Sequence, residues 1–252
     1  MRRLRITGLL LMLALAWVSQ PMMAAEEEGG VITRGWSITP KAGSAEAFNK
    51  ALKAHAQWRR DNGDPWEWNF YRAQSGDMDG TIFIRSGNHT YADIDAYAAS
   101  EFSAKAGAHW NQNVQPYVGR ASSSFSRRDK EMVDWPEGDY RVFWVTNFHL
   151  RPGHGPGFTA EVKKIRAALK AAERQSTHSW QWAMTGEHIP TATLVTGRAN
   201  WAGFDSPEQS VREALATQMS EMEAASLMDA AFSHVKSMSS RIYVSTDEFS
   251  GK

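Results

Sequence analysis

The spacing of hydrophobic positions switches between two residues and three to four residues along this chain, and the switches come in the same order twice. Apolar residues crowd residues 32–39 and predict a strand, ended by the turn Pro40-Lys41-Ala42-Gly43. Ser44 then stands as an N-cap with Glu46 in the first turn, and Phe48, Ala51, His55 and Trp58 recur on one helical face. Asn62-Gly63-Asp64-Pro65 stops that helix. Alternation over residues 66–73 predicts a strand with Trp66, Trp68 and Phe70 on one face, then a polar hairpin and a returning strand at 81–85. A second helix is predicted over residues 91–113 and a closing strand over 122–126.

The second half repeats the order. Residues 141–150 are rich in aromatic and β-branched types and predict a strand, and the glycine-rich turn at 151–157 follows. Phe158, Val162, Ile165, Leu169 and Ala172 make one helical stripe. Strands are predicted at 178–184, where His178, Trp180, Trp182 and Met184 share a face, and at 191–196. Ser206-Pro207-Glu208-Gln209 reads as a capping start for a long helix that carries Val211, Leu215, Met222 and Ala225. Residues 241–245 close as a strand.

Three short matches support a duplication. Ser86-Gly87-Asn88-His89-Thr90-Tyr91-Ala92-Asp93-Ile94-Asp95 aligns without a gap to Thr196-Gly197-Arg198-Ala199-Asn200-Trp201-Ala202-Gly203-Phe204-Asp205. Trp66-Glu67-Trp68 is echoed by Trp180-Gln181-Trp182, and Trp36-Ser37-Ile38-Thr39-Pro40 by Phe148-His149-Leu150-Arg151-Pro152. A unit of about 110 residues is the size of a small domain and too long for a solenoid repeat. The expected division is a leader at 1–25, a first β-α-β-β-α-β unit at 26–126, a charged linker at 127–139 and a second unit at 140–252.

The leader is read from Arg2, Arg3 and Arg5, an apolar run over 6–18, and Pro21-Met22-Met23-Ala24-Ala25 before the cut. That run is shorter than the roughly 20 residues of a spanning helix, so a secreted or periplasmic protein without stable membrane insertion is expected. Loss of the three leader arginines leaves 25 basic residues against 28 acidic ones, which gives no electrostatic reason to bind nucleic acid. There is no cysteine, so the fold rests on its core without disulfides. The eleven tryptophans, ten of them after the leader, have to be buried or used.

The doubled β-α-β-β-α-β order resembles the dimeric α+β barrels of the antibiotic-biosynthesis monooxygenase type. The segment from Ile84 through Ser86-Gly87 to a helix carrying Tyr91, Ile94, Tyr97, Phe102 and His109 resembles them too. The resemblance implies an α+β fold in which two ferredoxin-like sheets close into one barrel within the chain, with a pocket between each sheet and its own helices. The superfamily also holds haem-degrading oxygenases that use an asparagine on the first strand, a tryptophan on the third and a histidine on the second helix. Here His109 stands near the histidine position and Asn147 near the asparagine of the second half. Arg85 and the run Leu194-Val195-Thr196 replace the tryptophan, so neither half has the full set.

Other chemistry is sparse. No Gly-x-Ser-x-Gly elbow, phosphate loop or paired-histidine metal motif is present, and the histidines, including His149, His154 and His188, are not spaced as metal ligands. No metal or cofactor is therefore expected. The candidate ligand-binding residues are His178, Trp180, Trp182, Asn200 and Trp201 in the second half, with Trp66, Trp68 and His89 in the first. Aromatic stripes of this kind build cores as readily as pocket walls. The favoured reading is a non-catalytic protein that binds a small apolar or aromatic molecule. A cofactor-independent oxygenase-type enzyme acting on a small aromatic substrate is the alternative, and a structural or interaction module is the third.

Overall fold

The computed structural model describes residues 30–174, 177–186, 188–205 and 209–250. The leader read at 1–25 and the capping start at Ser206-Pro207-Glu208 lie outside these residues. In chain order the elements are β1 (Ile32–Pro40), α1 (Ala45–Asp61), β2 (Asn69–Ala73), β3 (Ile82–His89), α2 (Tyr91–Ala99), α3 (Glu101–Asn113) and β4 (Val118–Asp134). They continue with β5 (Val142–Leu150), α4 (Gly155–Ala171), β6 (His178–Ala183), β7 (Thr191–Arg198), α5 (Val211–Ala216), α6 (Glu221–Ser233), β8 (Val235–Ser245) and a short α7 (Asp247–Ser250).

The strands close into one antiparallel barrel in the order β1-β3-β2-β8-β5-β7-β6-β4. Within it, β4-β1-β3-β2 forms one four-stranded run and β8-β5-β7-β6 the other, joined where β2 meets β8 and β4 meets β6. Closure leaves no sheet edge unpaired. The barrel is formed within the chain, and no helix among the described residues is long and apolar enough to cross a membrane.

Several boundaries differ from the sequence reading, each for a local reason. Residues 127–134, read as part of a linker, extend β4, which pairs with β6 through Arg127–Trp182, Arg128–Gln181 and Val133–Ser179. A strand with no fully buried face carries charge freely, so composition alone made it look like a loop. The predicted helix at 91–113 is two helices, because Ser100 is extended and its side chain caps α3 by accepting from the Ser103 N–H. The second long helix also divides: Ser210 and Ser220 form capping boxes with Glu213 and Glu223. Ser44 occupies the N-cap of α1 but makes no side-chain cap hydrogen bond.

Two apolar cores lie between the barrel wall and the helices. The first joins Ile38, Phe48, Leu52, Phe70, Ile82, Ile84 and Phe249, and the second joins Phe148, Leu150, Phe158, Val162, Trp180 and Ala192. Gly157 serves the second core: a Cβ there would stand 2.5 Å from the His234 ring, so α4 approaches α6 only without one. Trp66 and Trp68 are not on a strand, since β2 begins at Asn69. In the register, Phe70 faces Ile84 and Trp180 faces Leu194, so Phe70 takes the place across from β3 that Trp180 takes across from β7.

Candidate active site

Strand alternation sends every second side chain away from the two cores and into the barrel. There they surround a cavity of about 930 Å³. On β5 these residues are Phe143, Val145, Asn147 and His149; on β7, Thr191, Thr193 and Val195; on β6, Ser179, Gln181 and Ala183. The first half contributes Ser37, Tyr71, Phe83, Arg85, Ser124 and Arg128, and β8 contributes Ser239, Arg241 and Tyr243. Volumes of this size hold ligands of drug-like dimensions.

The lumen divides into regions of different chemistry. An aromatic belt runs across strands: Tyr71 meets Phe143 edge-on at 5.2 Å, Phe83 lies 6.0 Å from Tyr243, and Trp135 stacks on Phe143 at 6.2 Å. Polar pairs line another part of the wall, with Thr193 donating to Asn147 Oδ1 at 2.8 Å and Ser126 to Gln181 Oε1 at 3.2 Å. Burial pushes the Tyr71 and Tyr243 hydroxyls above the ordinary phenol range, so both remain neutral donors.

His149 is the lumen group best arranged for proton transfer. Its Nδ1 lies 3.0 Å from Thr191 Oγ1 and its Nε2 lies 3.3 Å from Ser239 Oγ. The Thr191 hydroxyl donates its own proton to the His188 carbonyl, so its oxygen is left to accept from Nδ1–H. That network assigns the tautomer and leaves Nε2 as the basic nitrogen, with only a long contact to a serine. Burial lowers the His149 pKa, the charges of His188 and Arg241 push it the same way and a hydrogen bond to the His188 backbone opposes them, so the ring is neutral near pH 7.

The residues singled out in the sequence lie elsewhere. Trp180 is 7% exposed and packs its ring on Phe148 and Phe158 in the helix-side core, with Trp182 partly buried beside it. His178 shares that face of β6, and burial lowers its pKa. Asn200 caps a 3-10 turn by accepting from the Gly203 N–H at 3.1 Å, and Trp201 within that turn is 52% exposed. In the first half Trp66, Trp68 and His89 do come together. Trp66 stacks on His89 at 3.9 Å and on Tyr97 at 4.0 Å, and Trp68 donates its indole N–H to Asp64 at 2.8 Å. A smaller cavity of about 310 Å³ adjoins Trp66, Trp68, Arg59 and Asp64. None of the eight lines the lumen cavity. The haem-type positions are divided as well, since Arg85 and Asn147 face the lumen while His109 bonds His55 on the helix side at 2.9 Å.

Arg85, Arg128 and His149 are the lumen residues that sequence reasoning passed over as binding groups. The available signal was an arginine inside the apolar strand Ile82-Phe83-Ile84-Arg85, where only an enclosed polar face explains it.

No family model and no curated protein sequence matches this chain. Solved structures do resemble it in fold. A “putative monooxygenase” from Lactobacillus acidophilus superposes with a TM-score of 0.55 at 10% identity, covering 86% of this chain and 94% of the other. An anthrone oxidase-like protein gives 0.52 at 11% identity over 88% and 94%. A chlorite dismutase variant from Candidatus Nitrospira defluvii gives 0.50 at 10% identity over 88% and 95%. The fold is therefore that of the dimeric α+β barrels. The expectation of a non-catalytic binder is overturned by these likenesses, because the neighbours bear the names of enzymes.

Proposed function

We propose that this chain is a cofactor-independent oxygenase-type enzyme that acts on a small aromatic molecule held in the barrel lumen. The observation that carries the reading is His149, a neutral base whose Nε2, held only by a 3.3 Å contact to Ser239 Oγ, borders the lumen cavity. The monooxygenase and anthrone oxidase-like names of proteins with this fold support the same reaction class. An activated methylene plus dioxygen yields a carbonyl plus water, and the substrate carbon supplies all four electrons. His149 Nε2 takes the first proton from a substrate seated at the Val145, Asn147 and Thr193 end of the lumen, and the His149 proton leaves with the water formed.

The reading includes two finer points. The barrel is a tandem pair of ferredoxin-like repeats, supported by the same strand-helix-strand-strand-helix-strand order in each half and by Phe48 and Leu52 in α1 spaced like Phe158 and Val162 in α4. The second is a location outside the cytoplasm, supported by the basic start and apolar run of the leader read at 1–25.

Oxygen uptake with anthrone as probe tests the function. His149→Gln is expected to lower kcat/KM by about 10²- to 10⁴-fold, the usual contribution of a general base, with an unchanged melting temperature. No uptake by the wild type, or an undiminished rate in the variant, would overturn it.

A further inference from the structure

We propose that the lumen selects aromatic molecules bearing a carboxylate, and that Arg85 and Arg128 hold the carboxylate. This deepens the oxygenase reading, on which it rests for the identity of the site.

Charge balance inside the barrel motivates it. Four arginines line the cavity. Arg141 is neutralised by Asp139 at 2.7 Å and by Asp247, and Arg241 by Asp77 at 2.9 Å. Among the described residues no carboxylate pairs with Arg85 or Arg128. The Arg85 guanidinium has a single neutral contact, a 3.3 Å hydrogen bond to Thr33 Oγ1. Thr33 pairs across the sheet with Ser126, and Arg128 is the next residue on the Ser126 side of β4, so the two cations are neighbours. Burial lowers the Arg85 pKa, and the Arg128 charge adds to that effect while Tyr71 opposes it. Two like charges in an enclosed space are costly unless an anion enters between them. Arginine forks match a carboxylate with two parallel hydrogen bonds, a geometry a lysine does not offer.

The surrounding wall leaves room for such a group. Gly35 lies directly across from Arg85 on β1, and Ser124 directly across from Gly35 on β4. A Cβ at Gly35 would sit 3.0 Å from the Phe83 ring and 3.1 Å from Ser124 Oγ, so any side chain there would take up lumen space. Small residues thus open the wall beside the cation. Phe83, two residues before Arg85, and Tyr71 opposite it supply the flat apolar surface next to the charge. An aromatic ring on that surface with its carboxylate toward Arg85 satisfies both at once.

Calorimetric titration without oxygen tests this with three probes: 2-naphthoate, its neutral analogue 2-naphthamide, and acetate. Naphthoate is expected to bind about 10- to 100-fold more tightly than naphthamide, the difference one or two charge-assisted hydrogen bonds make, and to weaken as salt rises. Acetate, which lacks the ring, is expected to bind far more weakly than naphthoate. Arg85→Met and Arg128→Gln should each weaken naphthoate far more than naphthamide and so remove the preference for the acid. If Arg85→Met fails to fold by circular dichroism, Arg128→Gln carries the test. Absence of naphthoate binding, equal affinity for acid and amide, equal affinity for acetate and naphthoate, or variants that keep the preference would each overturn the proposal. Oxygen uptake is measured separately: binding without uptake sinks only the oxygenase reading, and uptake from anthrone without a carboxylate preference sinks only this one.

Discussion

Strand β6 builds two different walls from six residues. Its helix side carries His178, Trp180 and Trp182, and its lumen side carries Ser179, Gln181 and Ala183. The helix side is packed, with Trp180 among Phe148, Phe158 and Ala192, and the lumen side borders open space. On this strand the aromatic side therefore marks the place where the chain is held together. The sparser polar side marks the place where something else can enter. A hydrophobic wall closes on itself because packing is its own reward, whereas polar and charged groups in a barrel keep water or a ligand.

Cutting into the helix side should have the largest effect on folding. Trp180→Ala is expected to destabilise the protein by about 3–5 kcal/mol, the cost of a large cavity in a packed core. The lumen change Thr193→Val, which removes one hydrogen bond to Asn147, is expected to cost about 1 kcal/mol. Urea unfolding of both variants checks the contrast. Similar costs for the two would erase the distinction between the faces.

The helix side of the first half gives a pH signature of its own. Burial holds the His55 pKa at about 3 against an ordinary 6.5, with the charges of Arg59 and His109 acting in the same direction. The unfolded chain binds a proton below pH 6.5 that the folded chain refuses until about pH 3. The stabilisation present above that upper value is therefore lost as the pH falls, at up to about 1.4 kcal/mol per unit. His55→Gln should flatten this slope, as seen in urea midpoints at pH 7.5 and 5. An identical slope in the variant would assign the acid sensitivity to other groups.

The order of elements was legible because helix and strand periods differ, and because α1 and α4 carry strong one-sided stripes. The barrel cores followed from the same stripes, with Phe48 and Phe158 fully packed as their spacing implies. The site was not legible for a related reason. A polar residue at alternate strand positions has the same pattern whether it faces solvent or an enclosed lumen, and only barrel closure decides between them. Arg128, in the part of β4 beyond the predicted strand at 122–126, therefore passed for part of a charged linker. Trp66 and Trp68 misled in the opposite way: their alternation matched a strand, yet Asp64 holds the Trp66 backbone N–H and the Trp68 indole in a turn before β2.

The most direct test of lumen function is a crystal structure of the protein with 2-naphthoate bound. The expected result is a ring against Tyr71, Phe83 and Phe143 inside the barrel, with its carboxylate on Arg85. A ring seated instead beside Trp66 and Trp68, or between β6 and its helices at Trp180 and Trp182, with the lumen left to water, would contradict it.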